Sequence, residues 1–118
     1  MNRAVWVQTV WLPVKTVSEA NGRDHWRVKA RRTKKQRFAA RALCPAFALP
    51  AVVRLTRLSS GRLDDDNLRG ALKAVRDGIA DAFGVADNDP RLTWEYEQAG
   101  RGAKQLQGSV LVELRTPA

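Results

Sequence analysis

Residues 64–84 read DDDNLRGALKAVRDGIADAFG, and the spacing of their apolar side chains decides how the rest of the chain can fold. Leu68, Leu72, Val75, Ile79 and Phe83 recur at intervals of four, three, four and four, which puts all five on one stripe of an α-helix. Gly84 provides its C-terminal stop. A helix with one apolar stripe must bury it, so the flanking segments have to supply a partner layer.

Upstream, Pro50 opens the run Ala51–Leu58, which begins apolar and turns to alternation, as a strand with one wet face would. Downstream, Leu92, Trp94 and Tyr96 alternate with Thr93, Glu95 and Glu97, and Val110, Val112 and Leu114 alternate on a last strand. The turn residues Gly100-Arg101-Gly102 between these two strands predict an antiparallel hairpin. Toward the N-terminus, the β-branched and aromatic run Val5–Leu12 reads as a strand closed by Pro13, and residues 13–24 read as a loop. From about His25 to Leu43 the chain has no Gly or Pro, Asp24 is available as an N-cap, and Cys44-Pro45 stops the pattern. The expected order is β-α-β-α-β-β, in one α+β domain spanning residues 1–118.

A chain of 118 residues with 44% hydrophobic residues has enough apolar surface for one core and too little length for two domains of ordinary size. No apolar run approaches the roughly 20 residues that cross a bilayer, and the start lacks the order of a signal peptide. The expectation is a cytoplasmic protein without a membrane partner. The single cysteine, Cys44, lies among Leu43 and Phe47 and reads as a small core residue in a reducing compartment. A net charge of +9 makes a polyanion the first partner to consider.

Most of that charge is local. Arg27, Lys29, Arg31, Arg32, Lys34, Lys35, Arg37 and Arg41 lie on the first helix, Arg23 and His25 precede it, and no acidic residue interrupts residues 27–41. Like charges three or four apart each cost an isolated helix about 0.2–0.5 kcal/mol, a sum on the order of 1–3 kcal/mol that a polyanion would remove. Cations on this scale position a phosphate backbone without reading bases. Trp26, Val28, Ala30 and Phe38 fall between them and read as anchors of the helix to the core.

The acids are also clustered. Asp64, Asp65 and Asp66 lead into the amphipathic helix, and Asp87 and Asp89 follow it in a loop. One aspartate suffices for an N-cap. In an extended segment Asp64 and Asp66 would share one side while Asp65 points away. If the strands flanking the helix are neighbours, Asp89 would be carried back toward them, and clustered carboxylate oxygens are what Mg²⁺ prefers. Lys73 stands seven residues after Asp66 on the same helical face, with Gly70 between them and Asp77 one turn further on. Its two readings are a cation for a phosphate oxygen and an ion-pair partner of Asp77.

The pattern Asp64-x-Asp66-Asn67-Leu68, then Lys73 and Asp77, then Asn88-Asp89, resembles the motif of RusA-family Holliday-junction resolvases, and Pro13, Ser18, Asn21 and Arg23 are similar in style to that family's start. The resemblance implies a RusA-like mixed sheet with helices packed on it. It further implies a homodimeric endonuclease, dependent on Mg²⁺ or Mn²⁺, that cuts branched DNA. Asp64, Asp66 and Asp89 would correspond to the metal-binding aspartates and Lys73 to the essential lysine. Two departures stand out. The family's lysine follows the second aspartate by four residues rather than seven, and its paired aspartates in the second loop are here Asn88-Asp89 preceded by Asp87, which leaves Asp87 and Asp89 both open as third ligand. The competing expectation is a basic nucleic-acid-binding protein whose aspartates are only cap and loop residues.

Overall fold

The computed structural model describes residues 7–17, 26–59, 61–100 and 109–117. Among them the chain runs β1 (Gln8–Leu12), α1 (Trp26–Leu43), β2 (Ala51–Leu58), α2 (Asp65–Ala71), α3 (Lys73–Phe83), β3 (Leu92–Ala99) and β4 (Ser109–Arg115). The expected α+β class holds, as a four-stranded mixed sheet with three helices, and the expected β-α-β-α-β-β order gains one element because the second helix is divided into α2 and α3. The expected positions Val5, Trp6, Arg23, Asp24 and His25, and the turn at Arg101-Gly102, lie outside the described residues.

The stripe read in residues 68–83 is the keel of the fold. Leu68, Leu72, Val75 and Ile79 are buried, and Phe83 packs half-buried at the margin. The helix is divided at Leu72, whose φ of −102° and ψ of 2° leave the helical region. The stripe survives because the Leu72 N–H still reaches the Leu68 carbonyl at 3.1 Å and Arg76 N–H reaches that of Leu72 at 2.9 Å. Gly84 adopts φ 73°, and the bonds Gly84 N–H to Asp81 O and Val85 N–H to Ala80 O close the C-terminus.

Against this stripe lies one face of the sheet, carrying Leu12, Val53, Leu55, Val110, Val112 and Leu114. Full burial of each such aliphatic side chain contributes about 1.5–3 kcal/mol, which makes this layer the main source of stability. The sheet order is β1-β4-β2-β3, with β2 and β3 parallel and the other two pairs antiparallel. The predicted hairpin of the last two strands is therefore not formed, because β2 lies between them. The physical reason is burial. Ala51, Val52, Val53 and Leu55 want neighbours on both sides, whereas β3, with Glu95 and Glu97 on its outer face, suits an edge.

Helix α1 packs across α3 by backbone approach. A Cβ placed on Gly78 would lie 2.2 Å from the Arg37 carbonyl oxygen and 2.8 Å from the Ala40 Cβ, so only glycine fits there. Beside that contact Arg37 holds Asp81 with two bonds, Nε to Oδ2 at 2.7 Å and Nη2 to Oδ1 at 2.9 Å. On its other side α1 buries Gln36, whose side-chain amide donates to the Lys15 carbonyl and fixes the β1–α1 linker. Buried Arg57, at the end of β2, donates to Thr16 Oγ1 at 3.1 Å and to the Gly61 carbonyl at 3.2 Å, tying that linker to the loop that precedes Asp64. Burial lowers the pKa of its guanidinium. Cys44 is half-buried against the core, and burial pushes its thiol up to about 11.

Candidate acidic site and nucleic-acid interface

Asp64 is the N-cap of α2. Its backbone is extended at φ −69° and ψ 171°, its Oδ1 accepts the Asn67 N–H at 2.9 Å, and its Oδ2 accepts the Asn67 side-chain amide at 3.2 Å. Asn67 thus clamps both oxygens of one carboxylate, which gives the Asp-x-Asp-Asn spacing a local cause. Asp65 already belongs to the helix and pairs with Arg69 at 3.0 Å, a turn away. Because the helix starts at Asp65, the extended alternation expected to aim Asp64 and Asp66 together does not apply. Asp66 is exposed in the first turn, where the helix dipole favours negative charge. It is the one described aspartate without a hydrogen bond or ion pair among the described residues.

The second acidic group lies beyond α3. Since β2 and β3 are parallel neighbours, the condition for its return along the helix is met, and it is Asp87 that returns. Its carboxylate lies 2.9 Å from Arg76 Nε and 3.2 Å from Lys73 Nζ, and its carbonyl accepts from Arg76 Nη2 and from Trp94 Nε1. Burial raises the Asp87 pKa, but Lys73 and Arg76 together outweigh it and the net shift is downward. Lys73 also holds Asp77 at 2.6 Å, and that bond first, then Asp87, raises its pKa against burial. Asp89 turns the other way. Its carboxylate accepts from the Arg91 N–H at 2.9 Å and from the Arg91 guanidinium at 2.9 and 3.0 Å, contacts that hold it at about 2.

A row of cations and rings joins the two acidic groups. Arg69 lies over the Tyr96 ring at 4.6 Å, Arg76 lies over Trp94 at 4.8 Å, and Arg76 Nη1 donates to Tyr96 Oη at 2.8 Å. Sequence reasoning left Arg69, Arg76, Trp94 and Tyr96 out of the site. Their signal was present, because residues 69, 73 and 76 share one helical face and residues 94 and 96 share one strand face. A cleft of about 410 Å³ opens beside them, lined by Arg62, Asp64, Asp65, Tyr96 and Glu97 among others. Among the described residues no three His, Cys, Asp or Glu side chains form a group able to hold a metal ion, so Asp64, Asp66 and Asp89 are not drawn into one.

The α1 surface departs from expectation in two ways. Arg27, Lys29, Arg31, Lys34 and Lys35 are exposed and Arg32 is half-buried, as a phosphate-binding surface requires. Arg37, expected in the same role, is instead engaged by Asp81 and pins α1 to α3. The second departure is apolar. Trp26, Val28 and Phe38 do not anchor the helix, being 67%, 45% and 71% exposed; that task falls to the small residue Ala40 and to Gln36. The reason is Gly78, since a helix packed backbone to backbone has no room for an aromatic ring between. Between α1 and the β1–α1 linker runs a groove of about 500 Å³, with Val14 and Val28 in its walls and Lys15, Arg31 and Lys35 around it.

No helix among the described residues is long and apolar enough to cross a membrane. No protein-family model, no curated protein and no solved structure matches this chain.

Proposed function

We propose that this chain is a metal-dependent endodeoxyribonuclease of the RusA type that cuts Holliday junctions or related branched DNA. The observation that carries the reading is Asp66: an exposed carboxylate without a partner among the described residues, two residues beyond the carboxylate clamped by Asn67, in a protein of net charge +9. The helix dipole favours a negative charge in this first turn but calls for no metal, so a carboxylate left unpaired beside paired neighbours is also open to a ligand. A Mg²⁺ ion is commonly held by one or two carboxylates with waters and substrate phosphate completing its shell, and Asp64 and Asp66 are residues of the right kind for that. The ion would supply Lewis-acid activation of water and charge stabilisation at the scissile phosphate.

Lys73 is the next cation after Arg69 along the same helical face, and its part is to neutralise a phosphate oxygen once DNA competes with Asp77 and Asp87. A third ligand from the loop costs an existing contact, Arg91 for Asp89 or Lys73 and Arg76 for Asp87. Helix α1 supplies the attraction for the DNA backbone. A homodimer would give paired cuts from one isologous interface on a pseudo-symmetric junction.

The non-catalytic reading has its own support, since Asp65, Asp77, Asp81, Asp87 and Asp89 all have cationic partners. Cleavage of a labelled four-way junction, a flap and a fork separates the two. Asp66→Asn should keep junction binding and lose Mg²⁺-dependent cutting by about a hundredfold or more, since even outer-shell partners of a metal are worth about 10–100-fold. Wild-type protein that nicks none of these substrates with Mg²⁺ or Mn²⁺ overturns the reading.

A further inference from the structure

Phe38 occupies an unusual position for a large apolar side chain. It is 71% exposed, directly opposite Gln36 and Ala40 on α1, and its neighbours at helical spacing are Lys34, Lys35, Arg31 and Arg41. It packs against no part of the core. Lys34, Lys35 and Arg31 have no acidic partner on a helix that contains no carboxylate. Beside Arg31 and Lys35 opens the groove walled by Val14 and Val28, with Lys15 on its far side.

Binding to duplex phosphates needs the cations and leaves the ring unexplained. An aromatic face among cations is what a single strand needs, because each unpaired base offers a π-face for stacking and each phosphate a charge. A second copy of the chain fits poorly, since an isologous contact here would oppose one cation-only face to another. A membrane surface fits poorly too. Trp26, Phe38 and Leu43 are exposed but distributed around the helix, and an interfacial helix needs them on one broad side.

We propose that α1 and residues 13–15 form a track for an unpaired DNA strand. Phe38 stacks on a base, while Arg31, Lys34, Lys35 and Lys15 contact its phosphates. The proposal rests on the DNA-binding half of the reading above and not on cleavage, so it is tested without metal. An oligothymidylate and a blunt duplex of equal length are titrated in the presence of a chelator against the full chain, against Phe38→Ala and against Phe38→Trp. Phe38→Ala should bind the oligothymidylate about fivefold or more weakly, with duplex affinity changed less than about twofold. The chelator makes the outcome independent of whether wild type cuts junctions, and Phe38→Trp should retain single-strand binding.

Unchanged single-strand affinity in Phe38→Ala overturns the proposal, as does an equal loss on both DNAs. Two further measurements decide against rival occupants. Loss of binding to phosphatidylserine vesicles in Phe38→Ala with single-strand binding intact would assign the face to lipid, and dissociation of a dimer in sedimentation with single-strand binding intact would assign it to a second copy. Either result overturns the track.

Discussion

Helix α1 and the α2–α3 pair carry charge in opposite ways. The sequence of α1 holds eight cations and no carboxylate, and Arg37 pairs with Asp81 of the neighbouring helix. On α2 and α3 the signs are interleaved: Asp65 with Arg69, Lys73 with Asp77, and both Lys73 and Arg76 with Asp87. Pairing between residues of the same helix accounts for much of the second pattern and, with no carboxylate on α1, for none of the first. Charge on α1 is therefore an argument for a partner, whereas on α2–α3 only what remains unpaired, Asp66 above all, can carry that argument. The comparison also divides α1 into an inner side committed to Gly78 and Asp81 and an outer side that exposes Lys34, Lys35 and Phe38.

The inner side offers the largest test. Gly78→Ala forces a methyl group onto the Arg37 backbone, and overpacking of that kind should cost about 3 kcal/mol in urea unfolding. Gly70→Ala is the control. A Cβ at Gly70 meets nothing within 4 Å, so this change should stabilise α2 by about 0.5–1 kcal/mol. Equal effects at the two glycines would remove the basis for calling one side of α1 structural.

These two glycines also show what the sequence made legible. The Leu68–Ile79 stripe and Gly84 were readable because helical burial repeats at a short, fixed interval. Gly78 was not, since its constraint comes from Arg37 and Ala40, which no local pattern brings near. The strand order was hidden for the same reason. A Gly-containing turn predicts a hairpin locally, but β2 wins the central place through long-range burial. At the candidate site, Asp64, Asp66 and Lys73 were identifiable by spacing, while the choice between Asp87 and Asp89 depended on where Lys73, Arg76 and Arg91 come to lie. Phe38 and Trp26 were misread because aromatic residues beside a helix usually serve the core.

A second test asks whether Asp64 does more than cap. Asparagine is as good an N-cap as aspartate, so Asp64→Asn should melt within about 0.5 kcal/mol of wild type, whereas Asp64→Ala should lose about 1 kcal/mol. If Asp64 also holds a metal, both variants lose junction cleavage alike. A variant Asp64→Asn that cuts normally would reduce this carboxylate to its helix and move the α2 end into the purely structural class.

Smaller effects separate cations within α1. Arg37→Ala should cost about 0.5–1 kcal/mol through its exposed pair with Asp81, and should leave the salt dependence of DNA binding unchanged. Lys35→Ala should cost no stability, because it relieves repulsion, and should lower the slope of log affinity against log salt by about 0.7–0.9, one phosphate contact. The reverse assignment of these two outcomes would break the division between inner and outer sides.

The smallest effect comes from acid. Asp89 is held at about 2 by Arg91, Asp81 is lowered by its hydrogen bond from Arg37, and Asp87 is lowered by Lys73 and Arg76 despite burial. In all three the folded state holds its proton less tightly than the unfolded chain. Their contribution is therefore fully present above the ordinary aspartate range, near pH 4, and is lost as pH falls through the lowered values toward about 2. The melting temperature should stay level between about pH 7 and pH 5 and decline only below about pH 4. Protonation removes the compensating charge of α2–α3 and of Asp81 but leaves every cation of α1 in place, so repulsion on α1 grows as its tie to Asp81 weakens. By linkage, Asp89→Asn, which removes the larger shift, should flatten the acid limb more than Asp81→Asn. An equal or greater flattening in Asp81→Asn would mean that the link from α1 to α3 adds acid sensitivity beyond the shift of Asp81 itself.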